Sequence, residues 1–148
     1  MDLDMFSKDS SHVMQSEASE CGLACMSMIL AHHRRHLDIA TLRSQNSLSL
    51  KGTTLQQLIE VTGRYGLVSR PLRLELEELG ELTLPCILHW DLNHFVVLTK
   101  VSTAGSGKIT ILDPAVGKRV LPMNEVSKHF TGVALELTPT PEFKPADL

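Results

Sequence analysis

Apolar and polar positions along this 148-residue chain change their period once, near Pro85. Before that point apolar residues recur at three- and four-residue spacing. The stretch from Gly22 to His33 carries Leu23, Ala24, Met28 and Ile29, follows Ser19 as a residue suited to cap it, and gives way to His32-His33-Arg34-Arg35-His36. A second helix, from about Thr54 to Tyr65, places Leu55, Leu58, Ile59 and Thr62 on one face and meets Gly66 as its stop signal. The Leu/Glu-rich stretch from Pro71 to Leu82 reads as helical in part. After Pro85 the spacing becomes that of strands: Cys86–Trp90, His94–Val101, Lys108–Leu112, Arg119–Pro122 and Val133–Thr138, separated by Gly, Asn, Asp and Pro. Helices followed by a mostly antiparallel sheet predict an α+β domain, with a cleft between a helical half and a sheet half.

Composition narrows this only a little. With 43% hydrophobic and 21% charged residues and a formal net charge of −3, the chain fits one unit around a single core. No basic patch is interleaved with aromatics, which argues against nucleic acid as a partner. No run approaches the roughly 18 apolar residues of a membrane-spanning helix, and the polar start Met1-Asp2-Leu3-Asp4 is unlike a signal peptide, so a soluble unit is expected. Three cysteines cannot all pair internally, which favours a reducing, cytosol-facing setting.

Against that background Cys21 stands out. It lies where the polar stretch Gln15-Ser16-Glu17-Ala18-Ser19-Glu20 meets an apolar helix, so unpaired N–H groups and the helix dipole favour its thiolate. A sulfur nucleophile needs a base, and His94 opens a strand just after the turn-like Asp91-Leu92-Asn93. The base needs an orienting group, and Asp113 closes the strand that follows. Nucleophile, histidine and orienting group thus occur in the order found in papain-like cysteine proteases. Taken singly, each has a plain structural reading: Cys21 a buried cysteine, His94 a core or edge histidine, Asp113 the start of an Asp-Pro turn, Gln15 a surface amide. Cys25 and Cys86 read as small buried hydrophobes. His32, His33 and His36 share helical spacing, but Arg34 and Arg35 would repel a cation, so they are read as a solvated basic helix end and no metal site is expected. His12, His89 and His129 show no partners and are read as structural.

The segments that carry these residues resemble one family. Gln15, Glu20-Cys21-Gly22-Leu23-Ala24-Cys25-Met26, Lys51-Gly52-Thr53-Thr54-Leu55, Leu84-Pro85-Cys86-Ile87-Leu88-His89-Trp90, Asn93-His94-Phe95-Val96-Val97-Leu98, Asp113-Pro114-Ala115 with Gly117, and Phe130-Thr131-Gly132-Val133-Ala134-Leu135-Glu136 together resemble the C39 peptidase domain of bacterial peptidase-containing ABC exporters, over roughly residues 10 to 140. Glu20 departs from the more familiar Asp before Cys-Gly but keeps its charge. The resemblance implies a papain-like fold, with Cys21 as nucleophile, His94 as general base and acid, Asp113 as its orienter and Gln15 as an oxyanion-hole donor. A donor of that kind contributes roughly 2.7–4 kcal/mol to acylation. It also implies cleavage of a leader peptide after a Gly-Gly pair, coupled to export, with no cofactor. The partners it implies are the leader and the membrane-spanning and nucleotide-binding domains of a parent exporter. Under this reading residues 1–12 are an N-terminal extension, 13–138 the peptidase domain and 139–148 a linker. A C39-like domain that only docks substrate is the alternative, against which Cys21 itself argues.

Two glycines offer little to grip, so specificity is expected from an amphipathic leader helix laid on a shallow apolar surface. Met5, Phe6, Val13 and Met14, or Leu48, Leu50, Leu55, Leu58 and Tyr65, are candidates for that surface, the latter group with core packing as the alternative. Trp90 and Leu92, on either side of Asp91, are candidates for the narrow part near the glycines, with strand packing equally open.

Overall fold

The computed structural model describes residues 20–46, 53–103, 105 and 107–145. Helix α1, Cys21–His32, is the hub: residues 21 to 30 are all buried, so its sequence is apolar on every side rather than striped, as a central helix must be. Its buried polar side chain is tied off, Ser27 Oγ donating to the Leu37 carbonyl at 2.6 Å. Helices α2, Ile39–Asn46, and α3, Leu55–Arg64, pack against it. Thr54 caps α3 in a reciprocal arrangement with Gln57, and Gly66 ends the segment at φ +84, where a side chain would be strained.

Six antiparallel strands form one sheet in the order β1-β6-β2-β3-β4-β5: β1 Leu67–Arg73, β2 Cys86–Trp90, β3 His94–Ser102, β4 Lys108–Asp113, β5 Gly117–Pro122 and β6 Phe130–Pro139. α1 lies across β3. Successive residues of β3 enter different cores: Phe95 and Val97 pack under the helices, Val96 and Leu98 on the opposite face with Leu79, Trp90, Ile109 and Val126. That second face is covered by a 3₁₀ turn, Leu76–Glu81, and the short α4, Met123–Val126. A strand buried on both faces reads as an unbroken apolar run, which is what His94-Phe95-Val96-Val97-Leu98 shows.

The five strands expected after Pro85 are present, Cys86–Trp90 with the expected ends and the others with one or both ends moved by at most three residues. Three elements escaped the sequence reading. Helix α2 buries only Leu42, so it leaves almost no apolar period to detect. Strand β1 contains Pro71 and sits at the sheet edge, where a proline nitrogen need not donate; the helical reading of residues 71–82 holds only for its 3₁₀ part. α4 is a single turn. The segment expected as a linker is docked as far as Phe143: Thr140 N donates to Gly66 O at 2.8 Å, and Phe143 packs on the helical core, edge-on to His33. Ser19 and the expected extension 1–12 lie outside the described residues, and the cap position of α1 is Glu20.

Candidate active site

Antiparallel pairing explains why residues 19 apart in sequence meet. The first residue of β3 and the last of β4 lie at the same end of neighbouring strands, so His94 and Asp113 face each other there. His94 Nε2 donates to Asp113 Oδ1 at 2.6 Å, and the same carboxylate oxygen accepts from Ala115 N at 2.9 Å. α1 runs across β3 with its N-terminus at this end of the sheet, and Cys21 is its first residue. The thiol donates to the Asn93 carbonyl at 3.7 Å and hydrogen-bonds the His94 ring. Since Nε2 belongs to Asp113, the nitrogen left for the sulfur is Nδ1. Close packing seats the helix end: a Cβ on Gly22 would stand 3.3 Å from Leu58 Cδ2 and 3.4 Å from Thr53 Cβ.

Electrostatics follow from these contacts. The Asp113 hydrogen bond, then the Cys21 one, push the His94 pKa up to about 9 against the effect of its burial. Burial works to raise the Asp113 carboxyl, but His94, the Ala115 N–H and the charge of Arg119 outweigh it and hold the group below its ordinary value. The pair is therefore arranged to keep an imidazolium on a carboxylate at neutral pH, with a thiol in contact with the cation. That is the equipment of an acyl-transfer site with a sulfur nucleophile.

The other cysteines differ. Cys25, one turn further along α1, is fully buried, and burial, then the nearby Cys21 and Asp113, raise its thiol well above the ordinary value. Burial and then Glu136 push Cys86 up to about 12. Both are inert core groups.

Gln15, with Met5, Phe6, Val13, Met14, Leu48, Leu50 and His12, lies outside the described residues. Of the apolar residues expected on a peptide-binding surface, Leu58, Tyr65 and Trp90 are core. Leu58 is sealed beneath Gly22, Trp90 stacks on His129 with ring centres 5.4 Å apart, and the Tyr65 hydroxyl donates to Gln45 Oε1 at 2.6 Å and accepts from Asn46 Nδ2 at 2.9 Å, locking α3 to α2. Their helical or strand period faces inward, which periodicity alone cannot distinguish from a binding stripe. Leu55 is partly buried against the same core. Leu92, by contrast, is 84% exposed at the turn before His94.

The histidines read as structural are better connected than their sequence suggests. His129 donates to Asp91 Oδ1 at 2.7 Å and to Glu125 Oε2 at 3.1 Å, and His89 Nδ1 meets Thr131 Oγ1 at 2.8 Å. His32 and His33 do not form a solvated cationic helix end: burial lowers both pKa values. Among the described residues no group of three or more His, Cys, Asp or Glu side chains could hold a metal ion.

Sequence reasoning also missed the partly buried ion pair from Glu20 to Arg43 Nη2, which joins the residue before Cys21 to α2. With α2 unread, nothing marked Arg43. The Asn93 carbonyl is backbone and has no side-chain signature.

A helical lobe carrying the thiol and an antiparallel sheet carrying the imidazole and carboxylate define a papain-like domain. The chain belongs to the Peptidase C39 family, whose sequence profile matches residues 9–142. It is 45% identical over 131 residues to a probable microcin-H47 secretion/processing ATP-binding protein of Escherichia coli, and 44% identical over 132 residues to a colicin V secretion/processing ATP-binding protein of Escherichia coli. These alignments cover 88% and 89% of this chain but only 18% of each relative, so the chain spans about a fifth of their length. Among solved structures it is similar to a double glycine motif protease from an AMS/PCAT transporter in complex with the leader peptide. That match has a TM-score of 0.79 and 37% identity, covering 87% of this chain and 91% of that one. It is also similar to the peptidase domain of Streptococcus ComA, a bi-functional ABC transporter involved in quorum sensing, at TM-score 0.77 and 25% identity, covering 86% of this chain and 97% of that one. Among the described residues no helix is long and apolar enough to cross a membrane.

Proposed function

We propose that the chain is a cysteine endopeptidase that removes the leader from a precursor peptide after a Gly-Gly pair, as the peptidase portion of a bacterial exporter. What supports it most is one arrangement: His94 Nε2 held on Asp113 at 2.6 Å, with the Cys21 thiol on the same ring at a helix N-terminus. The reactive form is the Cys21 thiolate paired with the His94 imidazolium, its proton on Nδ1, and the sulfur attacks the carbonyl carbon of the second glycine. The tetrahedral oxyanion is held by the Cys21 N–H and, in this reading, by the Gln15 side-chain amide. His94 gives its proton to the amide nitrogen, the C–N bond breaks and the mature peptide leaves as an amine. Water, deprotonated by His94, then attacks the thioester; the C–S bond breaks, the leader departs as a carboxylate and the thiolate is restored. Asp113 keeps the ring oriented and the imidazolium stabilised throughout. No cofactor enters these steps.

The leader, and the membrane-spanning and ATP-binding portions of an exporter, are the partners this reading assigns, which places the chain at the cytoplasmic face of the membrane. Exposed Leu92, beside His94, is the residue of the former candidate set best placed to touch the peptide near the scissile bond. The reading is tested by mass spectrometry of a double-glycine leader peptide incubated with the chain under reducing conditions. Cleavage after the second glycine, lost in Cys21→Ala and in His94→Ala, is the expected result. Binding without cleavage by the unaltered chain points instead to a docking module.

A further inference from the structure

Two hairpin turns sit side by side at the catalytic end of the sheet. Residues 91–93 join β2 to β3 and residues 114–116 join β4 to β5; because β3 lies antiparallel beside β4, both turns leave the same end, one directly before His94 and the other directly after Asp113. Turn residues are ordinarily polar or glycine. Each of these turns instead holds an aliphatic side chain out in water, Leu92 at 84% exposure and Val116 at 62%. Among the described residues the other large exposed hydrophobic side chains are Val120 on β5 and Val68 on β1, the far edge strand. Both turns are also held in shape. Asp91 N donates to His129 O at 2.7 Å, Val116 N to Asp113 O at 3.1 Å and Ala115 N to Asp113 Oδ1 at 2.9 Å.

We propose that Leu92 and Val116 form an apolar platform for the first two residues of the mature peptide, and so set specificity on the departing side of the scissile bond. This deepens the cysteine-peptidase reading and rests on it. The direction of proton transfer says what lies against the platform. His94 gives its proton to the nitrogen of the scissile amide, so that nitrogen must come to His94 Nδ1 while the glycine carbonyl is on Cys21. The first residue of the mature peptide is bonded to that nitrogen and therefore lies on the histidine side of the sulfur, where the turns flanking His94 and Asp113 carry the exposed aliphatic groups. Apolar residues after the Gly-Gly pair take this surface out of water, and turns already fixed by hydrogen bonds need little ordering to receive them. Because the mature peptide leaves as the thioester forms, the preference acts on acylation and is read in kcat/KM; thioester hydrolysis, which involves only the leader, does not carry it.

The experiment is a competition between two synthetic double-glycine leader peptides, alike except that the Gly-Gly pair is followed by Leu-Leu in one and by Ser-Ser in the other. They are mixed in equal amounts with the full chain under reducing conditions, and the loss of each intact peptide is followed by mass spectrometry. In competition the ratio of the two rates is the ratio of the two kcat/KM values, and it does not depend on how much of a variant is folded. The unaltered chain consumes the Leu-Leu peptide on the order of tenfold faster. Leu92→Ser and Val116→Ser each cut that ratio about threefold, the double variant brings the two rates close together, and Val68→Ser, at the far edge of the sheet, leaves the ratio as it was. Equal rates with the unaltered chain, or a preference that survives intact in the double variant, overturn the proposal while the peptidase reading stands, since both peptides are still cut after the second glycine. Failure to cut either peptide sinks the peptidase reading and the platform with it.

Discussion

Two histidine–carboxylate pairs flank the same turn, residues 91–93, and their contact distances are nearly equal. His94 meets Asp113 at 2.6 Å and His129 meets Asp91 at 2.7 Å. Their surroundings differ. The Asp113 side chain is 7% exposed and packed beneath α1, with a thiol on the ring it holds; the Asp91 side chain is 53% exposed, and its histidine stacks on Trp90. In both, the carboxylate raises the imidazole pKa. Only the first puts the resulting cation against a group that can become a nucleophile, and only there is the attraction little screened by water. Hydrogen-bond length therefore says little about function; burial and the third partner decide it.

The comparison breaks most sharply on removal of the rings. His94→Ala is expected to lower kcat/KM for a double-glycine leader by at least about 10³-fold, since base and acid are the same ring. Next comes Asp113→Asn, which keeps the shape but loses the charge: a loss between about 10²- and 10⁴-fold in kcat, with little change in KM, measured by steady-state cleavage. An Asp113→Asn variant retaining full kcat would remove the carboxylate from the mechanism.

How far the first pair was legible, and the second not, follows from what sequence records. His94 opens a strand and Asp113 ends the next one, and a strand boundary is visible because Asn93 and Pro114 punctuate it. Antiparallel neighbours then meet without further information. Cys21 was visible because α1 begins abruptly and is apolar throughout. Asp91, Glu125 and His129 come from a turn, a four-residue helix and the loop after it, none of which has a period, and their pairing depends on β2 lying beside β6 rather than on chain order. The same limit explains Leu58, Tyr65 and Trp90: period locates a face and leaves open whether that face meets protein or peptide. Glu20–Arg43 joins a readable helix to an unreadable one, and so went unseen.

Acidity sharpens the comparison next. His94 has a folded-state pKa of about 9, above its ordinary value of 6.5, so its cation stabilises the fold fully below about pH 6.5 and that contribution is lost as pH rises through about 9. Asp113 is held below its ordinary value, so its contribution is present at neutral pH and lost as pH falls toward its own folded value. Chemical denaturation of the unaltered chain, without leader peptide, should thus show stability declining from about pH 6.5 and levelling off near pH 9, a decline reduced in Asp113→Asn. The cleavage rate should fall near pH 9 as the imidazolium is titrated. A stability profile flat through pH 9 would contradict the coupling.

The smallest effect belongs to the outer pair, and it tests whether that pair acts on the site at all. His129 holds Asp91, whose N–H in turn donates to the His129 carbonyl at 2.7 Å, so the turn that delivers Asn93 and His94 is tied at its first residue by backbone as well as side chain. Asp91 adopts φ +55, a left-handed conformation that the ion pair and the backbone bond together hold in place. His129→Ala removes the ring and its stacking on Trp90 but leaves the backbone bond, so kcat/KM should stay within about threefold while the thermal midpoint drops by about 2–4 °C. Asp91→Gly, which relaxes the backbone and deletes the ion pair together, should cost no more stability than His129→Ala, because the glycine accepts the positive φ without strain. A fall in kcat/KM of tenfold or more in either variant would mean that the exposed pair sets the position of His94, and the division between the two pairs would fail.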